Sequence, residues 1–214
     1  MTAPARWASF PVLQPGPEYR ELTQGLAALP RGAISELIGA AGSGRTAVMQ
    51  SMVATATRRG EVVAVIDSND AFDPISAYQA GAEVDKVLWM QCGHRVETAL
   101  KATDMILHSG GFGLIVLDLC DMAQAALNRV PISYWHRFRL AVEHTPTRLL
   151  ILSREAVTRS CAARQFALCQ KSLQWRGEAP FQLIDCLATE AVSRKPMGRA
   201  PVSMDFHAEA LAEA

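Results

Sequence analysis

Apolar positions along the chain recur with two periods, which predict β-strands and α-helices in alternation. Short apolar runs predict five strands, at Ala33 to Ile38, Val62 to Ile66, Val87 to Met90, Leu114 to Leu117 and Arg148 to Leu152. Between them, apolar residues spaced three and four apart predict helices at Arg45 to Arg59, from Val96 to about Leu107, and at Ser133 to His144 with Ser133 as its cap. Continuous apolar strands between helices indicate an α/β fold, with a mostly parallel central sheet flanked by helices.

The pattern changes after Phe166. Three segments, Phe166 to Leu173, Phe181 to Thr189 and Pro201 to Phe206, predict antiparallel terminal strands separated by turns. Residues 1–20 are rich in proline, alanine and glycine and are predicted to form an irregular N-terminal arm, followed by a short helix at Glu21 to Leu29. We therefore expect one core domain over residues 21–207 and a C-terminal tail over 208–214.

Composition narrows the class of protein. The chain has 214 residues, half of them hydrophobic, which is typical of one globular domain. It has no apolar run of the roughly 18 residues that span a bilayer, and residues 1–10 lack the pattern of a secretory signal, so no membrane association is expected. Five cysteines without a CxxC pair, and histidines without metal-ligand spacing, predict neither a disulfide framework nor a resident metal and favour a cytoplasmic location.

Charge is unevenly distributed although the net charge is zero. Residues 129–199 contain 12 Lys and Arg but only 5 Asp and Glu, whereas residues 1–128 contain 9 basic and 13 acidic residues. The zero balance excludes a uniformly basic nucleic-acid binder. The second segment can still present a positive face to DNA or to a partner.

A glycine-rich segment lies between the first predicted strand and helix and fits the pattern G-x-x-x-x-G-[basic]-T. Its candidate ligand residues are Gly39, Gly42, Ser43, Gly44, Arg45 and Thr46. Glycines in such a loop let backbone N–H groups surround phosphate oxygens at a helix N-terminus, while the basic side chain contacts the outer phosphates. Asp118 ends a later apolar strand, where it could hold magnesium together with Thr46. The loop predicts a site for ATP or ADP with magnesium; a strand-to-helix turn without a ligand is the alternative.

Arg45 stands where such loops usually have lysine. A guanidinium is planar and bulkier than an ammonium, so a loop shaped around lysine must re-pack to hold it. Phosphate binding can persist after this exchange, whereas we expect ATP hydrolysis to be weak.

The order and spacing of several motifs resemble the ATPase core of the RecA recombinases from about Leu22 to His207. These motifs are Leu29 to Gly32, the glycine loop, Val65 to Asp67, Asp70 to Pro74, Val84 to Trp89, Leu114 to Asp118, Leu149 to Leu152 and Ser193 to Pro196. Three segments, given by Ala71 to Pro74, Ser133 to Trp135 and Val142 to Thr147, are more similar to the ImuA family. That family consists of RecA-like proteins associated with damage-induced mutagenesis and translesion synthesis. The resemblance implies a RecA-like P-loop fold.

The resemblance also implies that some of the catalytic residues of the recombinases are replaced in this chain. The recombinase glutamate that activates the attacking water falls on Asn69, whose amide cannot accept that proton. General-base catalysis commonly contributes ~100- to 10,000-fold. The recombinase residue that links nucleotide to DNA falls near Arg154 or Glu155. Short segments stand at the positions of the two recombinase DNA-binding loops: Leu119 to Ser133 and Arg154 to Arg164. We expect a reduced core that neither hydrolyses ATP efficiently nor forms an active recombinase filament alone.

On this basis the expected function is that of a RecA-like accessory protein of DNA repair and translesion synthesis. The implied partners are a Y-family-like polymerase homologue of the ImuB type, RecA, or both, and the implied location is the cytoplasm at the nucleoid. Self-association and direct DNA contact are further options. Two alternatives come from other classes of protein: a working P-loop ATPase that uses Arg45, and a direct DNA-binding module built on residues 129–199.

The basic residues near the chain's end have two interpretations. Arg154, Arg159 and Arg164 form either a DNA or partner surface or an ordinary solvated face. Arg194 and Lys195 fall where recombinase lysines reach a neighbouring subunit, so the resemblance implies a subunit interface; a charged hairpin is the alternative.

Overall fold

A computed structural model describes residues 12–15, 29–178, 182–198 and 200–209, which form one nine-stranded sheet and five α-helices. The strands are β1 Val12–Pro15, β2 Ala33–Gly39, β3 Val63–Asp67, β4 Val87–Gln91, β5 Leu114–Asp118, β6 Arg148–Ser153, β7 Arg164–Arg176, β8 Leu183–Lys195 and β9 Val202–Glu209. The helices are α1 Arg45–Arg58, α2 Pro74–Gln79, α3 Val96–Ser109, α4 Gln124–Asn128 and α5 Ile132–Val142, with one 3₁₀ turn at Val84–Lys86. The helix predicted at Glu21 to Leu29 lies outside the described residues except for Leu29.

The strand order across the sheet is β1-β9-β8-β7-β2-β6-β5-β3-β4. Six neighbouring strands, from β4 to β7, are parallel, and β8, β9 and β1 are antiparallel to their neighbours. The prediction of a mostly parallel sheet with antiparallel terminal strands is therefore confirmed. Because the parallel strands run in one direction, their carboxyl ends meet at one edge, and the glycine loop begins there.

Alternate residues of the parallel strands point to opposite faces of the sheet, and each face is covered by helices. On one face, Leu37 and Val65 pack in a core with apolar residues of α1, including Val48 and Met49. On the other face, Ile66 joins a core with residues of α3 and α5, among them Trp135 and Phe138. Burial on both faces explains why these strands read as continuous apolar runs.

Four expectations at element boundaries were wrong. Val12–Pro15, within the segment expected to be irregular, forms β1, which pairs with β9 through Val12 opposite Glu209; the terminal strand thus extends past 207. The predicted helix at Ser133 to His144 begins at Ile132 and ends at Val142. Its N-cap is Pro131 with no side-chain hydrogen bond, so Ser133 is not the cap, and the left-handed His144 (φ 62°) cannot continue the helix.

Candidate functional site

The glycine loop follows β2 at the carboxyl edge of the sheet and leads directly into α1. Gly42 and Gly44 have φ angles of 78° and 87°, a left-handed conformation that residues with a Cβ rarely adopt. Gly44 is the N-cap of α1 and provides no side-chain cap. The first N–H groups of this helix therefore keep their capacity to bind an anion, as the sequence pattern predicts.

One residue of β7 and one of β8 lie against this loop. A Cβ at Gly44 would lie 2.7 Å from Thr189 Oγ1 on β8, and a Cβ at Gly42 would lie 3.3 Å from Gln170 Oε1 on β7. Gln170 and Thr189 are paired across the two strands. The loop thus needs glycine at position 44 for space as well as for conformation. Neither Gln170 nor Thr189 has a sequence signal, because only the pairing of β7 with β2 brings them to the loop.

Three polar side chains around the loop are buried and lack a hydrogen-bond partner. Arg45 is 7% exposed, Ser43 4% and Thr189 1%, and the atoms without a partner are Arg45 Nη1, Ser43 Oγ and Thr189 Oγ1. A buried polar group without a partner costs about 1–3 kcal/mol, and a charged one costs more. Thr46, by contrast, is exposed. The unmet hydrogen-bonding capacity is concentrated where the sequence predicts phosphate.

Asp118 and Asn69, predicted from two separate motifs, contact each other. Asp118 ends β5, and its Oδ1 accepts hydrogen bonds from Asn69 Nδ2 at 3.3 Å and from the Cys120 N–H at 2.9 Å. Burial raises the pKa of the Asp118 carboxyl, while hydrogen bonds from Cys120 and the positive charge of Arg45 oppose that rise. Burial, reinforced by the charge of Asp118, raises the pKa of the Cys120 thiol. Arg45, Asn69 and Asp118 therefore belong to one electrostatic environment.

Asp67 is a positioning residue that the sequence reasoning did not identify. Its fully buried carboxylate accepts hydrogen bonds from the N–H groups of Asn69 and Ala71, both at 3.1 Å, and of Phe72 at 2.8 Å. It also accepts one from Trp89 Nε1 at 3.2 Å. These bonds fold the segment after β3 around one carboxylate and hold Asn69 beside Asp118. The signal in the sequence is an acid at the end of a buried strand.

Asp70, the carboxylate next to Asn69, is exposed and has a left-handed φ of 54°. Its Oδ2 lies 3.8 Å from His94 Nε2 on the segment after β4. This contact at the surface differs from the arrangement of Asn69, whose amide faces the buried Asp118.

The described residues leave only Oδ2 of the Asp118 carboxylate open to a magnesium ion. Two protein donors already occupy Oδ1 of this carboxylate, and one of them is the Asn69 amide. Among the described residues, no group of three or more His, Cys, Asp and Glu side chains could hold a metal ion. Thr46 remains the more accessible of the two predicted magnesium ligands.

The predicted basic surface is divided between exposed and internally bonded side chains. Arg154, Arg159 and Arg194 are exposed, and Arg164 is half-buried at the beginning of β7. Lys195, for which a subunit interface and a charged hairpin were the two interpretations, uses its ammonium within the chain: Nζ donates to the carbonyl oxygens of Ser160, at 2.9 Å, and of Ala162. Lys195 thus fixes the segment that carries Arg159.

Comparison with known proteins identifies the architecture. Residues 9–129, more than half of the chain, match the family model of the RecA N-terminal domain. The chain belongs to this RecA family. It is 35% identical to Protein RecA of Ectopseudomonas oleovorans over 113 residues, which are 53% of this chain and 32% of that protein. It is 37% identical to Protein RecA of a Nocardioides species over 111 residues, 52% of this chain and 31% of that protein.

The fold is also that of a solved recombinase structure. The crystal structure of the RadB recombinase superposes with a TM-score of 0.63 at 12% identity, covering 89% of this chain and 94% of that one. This likeness establishes the RecA-like α/β fold. The chain matches only about a third of the length of its RecA relatives. No described helix combines the length and apolar character that crossing a membrane requires.

Proposed function

We propose that this RecA-like chain is an accessory protein of DNA repair, of the ImuA kind, that acts in damage-induced translesion synthesis through protein contacts. Its partners in this proposal are a Y-family-like polymerase homologue of the ImuB type, RecA, or both. ATP hydrolysis is not part of the role. The observation that carries the proposal is the exchange at position 69 together with the retained recombinase fold.

The amide of Asn69 supports the loss of hydrolysis. It donates to Asp118, so the position that the resemblance gives to a water-activating glutamate is occupied by a hydrogen-bond donor. An amide cannot take a proton from water, and the nearby acid Asp67 already accepts four hydrogen bonds. Efficient general-base catalysis would need a carboxylate that is free to face the water.

The free edge of the sheet supports a role in protein contacts. β4 is the outermost strand on its side of the described sheet, so one row of its backbone groups lacks a neighbouring strand. Leu88 on this strand is 41% exposed, and Tyr78 on α2 is 62% exposed. An exposed apolar edge strand can accept a strand from another protein.

Capture experiments test the partner contacts. Full-length tagged protein is mixed separately with purified RecA and with the purified polymerase homologue, and bound partner is measured. We expect capture of at least one of them and a strong reduction in Leu88→Lys, because this charge interrupts the apolar edge. Met105→Lys is the matched control, since Met105 is 68% exposed and lies on α3, not on β4. Failure to capture either protein would contradict the proposal.

A phosphate-release assay tests the absence of turnover separately. With magnesium, ATP and single-stranded DNA, we expect the chain to release phosphate at least ~100-fold more slowly than a RecA assayed in parallel, because the general base is missing. Arg45→Ala serves as the background control. Release comparable to that of RecA, and lost in Arg45→Ala, would support the ATPase alternative instead.

A further inference from the structure

We propose that the groove between α3 and α5 is a docking site for an acidic amphipathic helix of another protein. The groove has a volume of about 570 Å³. His108 lines it from the end of α3, and the other lining residues belong to α5. The groove is separate from the β4 edge, so its occupant is independent of the partner contacts proposed above.

Two large apolar side chains of α5 line the groove and are open to solvent. Leu140 is 63% exposed and Ile132 is 38% exposed. They are eight residues apart, which is about 12 Å along the helix, or slightly more than two turns. Ala141, which is small and half-buried, lines the space beside Leu140. This spacing suits a bound helix that presents apolar side chains at positions i and i+7.

The groove is preformed because the opposite face of α5 is fixed in the core. Trp135 and Phe138 are 1% and 0% exposed and pack in the same cluster as apolar residues of α3. On the outside, Arg137 donates to the Asp104 carboxylate and so joins α5 to α3. A surface that is already held in its bound conformation loses little entropy on binding, so contacts made there contribute more fully to affinity.

The charges around the groove favour an acidic partner. α5 contains Arg137, Arg139 and His136 but no acidic residue, and His108 extends this basic border on α3. Asp104, the acid that contacts the border, is already engaged by Arg137, and its Oδ1 lies 3.6 Å from His108 Nδ1. Carboxylates of a bound helix would therefore meet complementary charge. The apolar lining favours a protein helix over a nucleic-acid backbone, because burying phosphates against apolar side chains is unfavourable.

Selection from a phage-displayed library of random peptides on the full-length protein tests the proposal. The peptides have about 16 residues, enough for four helical turns. We expect enrichment of peptides that combine apolar residues at helical spacing with an excess of Asp and Glu. Enriched peptides are then synthesised, and their affinities are measured by fluorescence anisotropy. Enrichment of no peptide, or only of peptides without an acidic excess, would overturn the proposal.

Variants locate the selected peptides on the surface. Leu140→Glu should lower their affinity at least tenfold, because it removes an apolar contact and repels their acids. Leu183→Glu is the matched control, since Leu183 is 56% exposed but lies on β8, and its affinity should stay within about twofold of wild type. His136→Glu should lower the affinity about fivefold without changing the thermal stability of the free protein, because His136 is exposed. Equal affinities in wild type, Leu140→Glu and His136→Glu would place the peptides elsewhere and would overturn the proposal.

Sedimentation of the free protein distinguishes another protein's helix from a second copy of this chain. We expect wild type and Leu140→Glu to sediment alike at every concentration tested. A wild-type dimer that becomes monomeric in Leu140→Glu would assign the groove to a second copy and would overturn the proposal.

Discussion

Glu36 is a fully buried carboxylate in the central strand β2, and its two oxygens accept five hydrogen bonds from the segment that runs from the end of β6 to the start of β7. The donors are Ser153 Oγ, the Val157 N–H, the N–H and hydroxyl of Thr158, and Gln165 Nε2. A buried charge is tolerated only with such hydrogen bonding. Glu36 therefore holds in place the segment that carries Arg154 and Arg159.

Glu36→Gln should destabilise the protein by about 3 kcal/mol. The NH₂ group of the new amide would face the N–H and O–H groups that donate to Glu36, and the negative charge that they stabilise would be lost. Urea unfolding at neutral pH measures the change. Thr158→Val removes the hydroxyl of one donor residue and should cost only about 1 kcal/mol. If Glu36→Gln unfolds at the same urea concentration as wild type, the carboxylate does not stabilise this segment.

At the scale of one element, α2 is a six-residue helix whose beginning is fixed by Asp73. The Asp73 carboxylate accepts hydrogen bonds from the Ile75 N–H at 3.1 Å and the Ser76 N–H at 3.0 Å, and Pro74 occupies the first helical position. Burial alone would raise the pKa of Asp73, but hydrogen bonds from the Ser76 hydroxyl and the two N–H groups together lower it. This cap defines the end of the segment shaped by Asp67.

Asp73→Ala should cost about 1 kcal/mol at neutral pH, as loss of an N-cap typically does. Because the folded pKa of Asp73 lies below its unfolded value, the contribution is present above the ordinary aspartate pKa of about 3.9 and is lost as the pH falls through the folded pKa. Unfolding free energies of wild type and variant, measured across acid pH, should converge at low pH. Asp73→Asn, which keeps a capping side chain without the charge, is the control. If the stability difference between wild type and Asp73→Ala did not change with pH, the charge of Asp73 would not contribute to stability.

At the scale of the whole molecule, Glu61 joins distant parts of the chain at the edge of the sheet opposite the glycine loop. Its Oε1 lies 2.7 Å from Arg31 Nη2, and its Oε2 lies 2.9 Å from Arg148 Nη1. Arg148 Nε also donates to the Leu29 carbonyl at 3.2 Å. Burial lowers the pKa of Arg148, and the charge of Glu61 opposes that shift. One carboxylate thus connects the beginnings of β2, β3 and β6.

Glu61→Gln should reduce the free energy of unfolding by about 2–3 kcal/mol, because Arg148 is left largely buried without its counter-charge. The matched control is Glu83→Gln, which breaks the more exposed pair with Lys86 and should change stability by less than about 1 kcal/mol. Thermal unfolding of both variants gives the comparison. Equal effects in the two variants would mean that the Glu61 cluster acts only as a surface ion pair.

The local spacing of apolar residues was sufficient to predict most of the strands and helices of the fold. The strands β2 to β6 and the helices α1 and α3 were predicted within one or two residues, because continuous apolar runs mark buried strands and helices show their own period. β1 was missed because four residues acquire strand structure only by pairing with β9, about 190 positions away in sequence. α4 and α5 differ from expectation because short helices and their ends depend on packing as much as on local signals.

The sequence by itself predicted the kind of site: a glycine loop before a helix, an arginine in place of lysine and, by the resemblance to the recombinases, an amide at the position of the water-activating carboxylate. These features are local, since residue type and spacing set the backbone conformations and the available charges. Only the tertiary structure decided what surrounds the loop. Pairing of β7 with β2 brings Thr189 against Gly44, and folding places Asn69 on Asp118. Such contacts join residues 49 to 145 positions apart, and no local period records which side chains will meet across that distance.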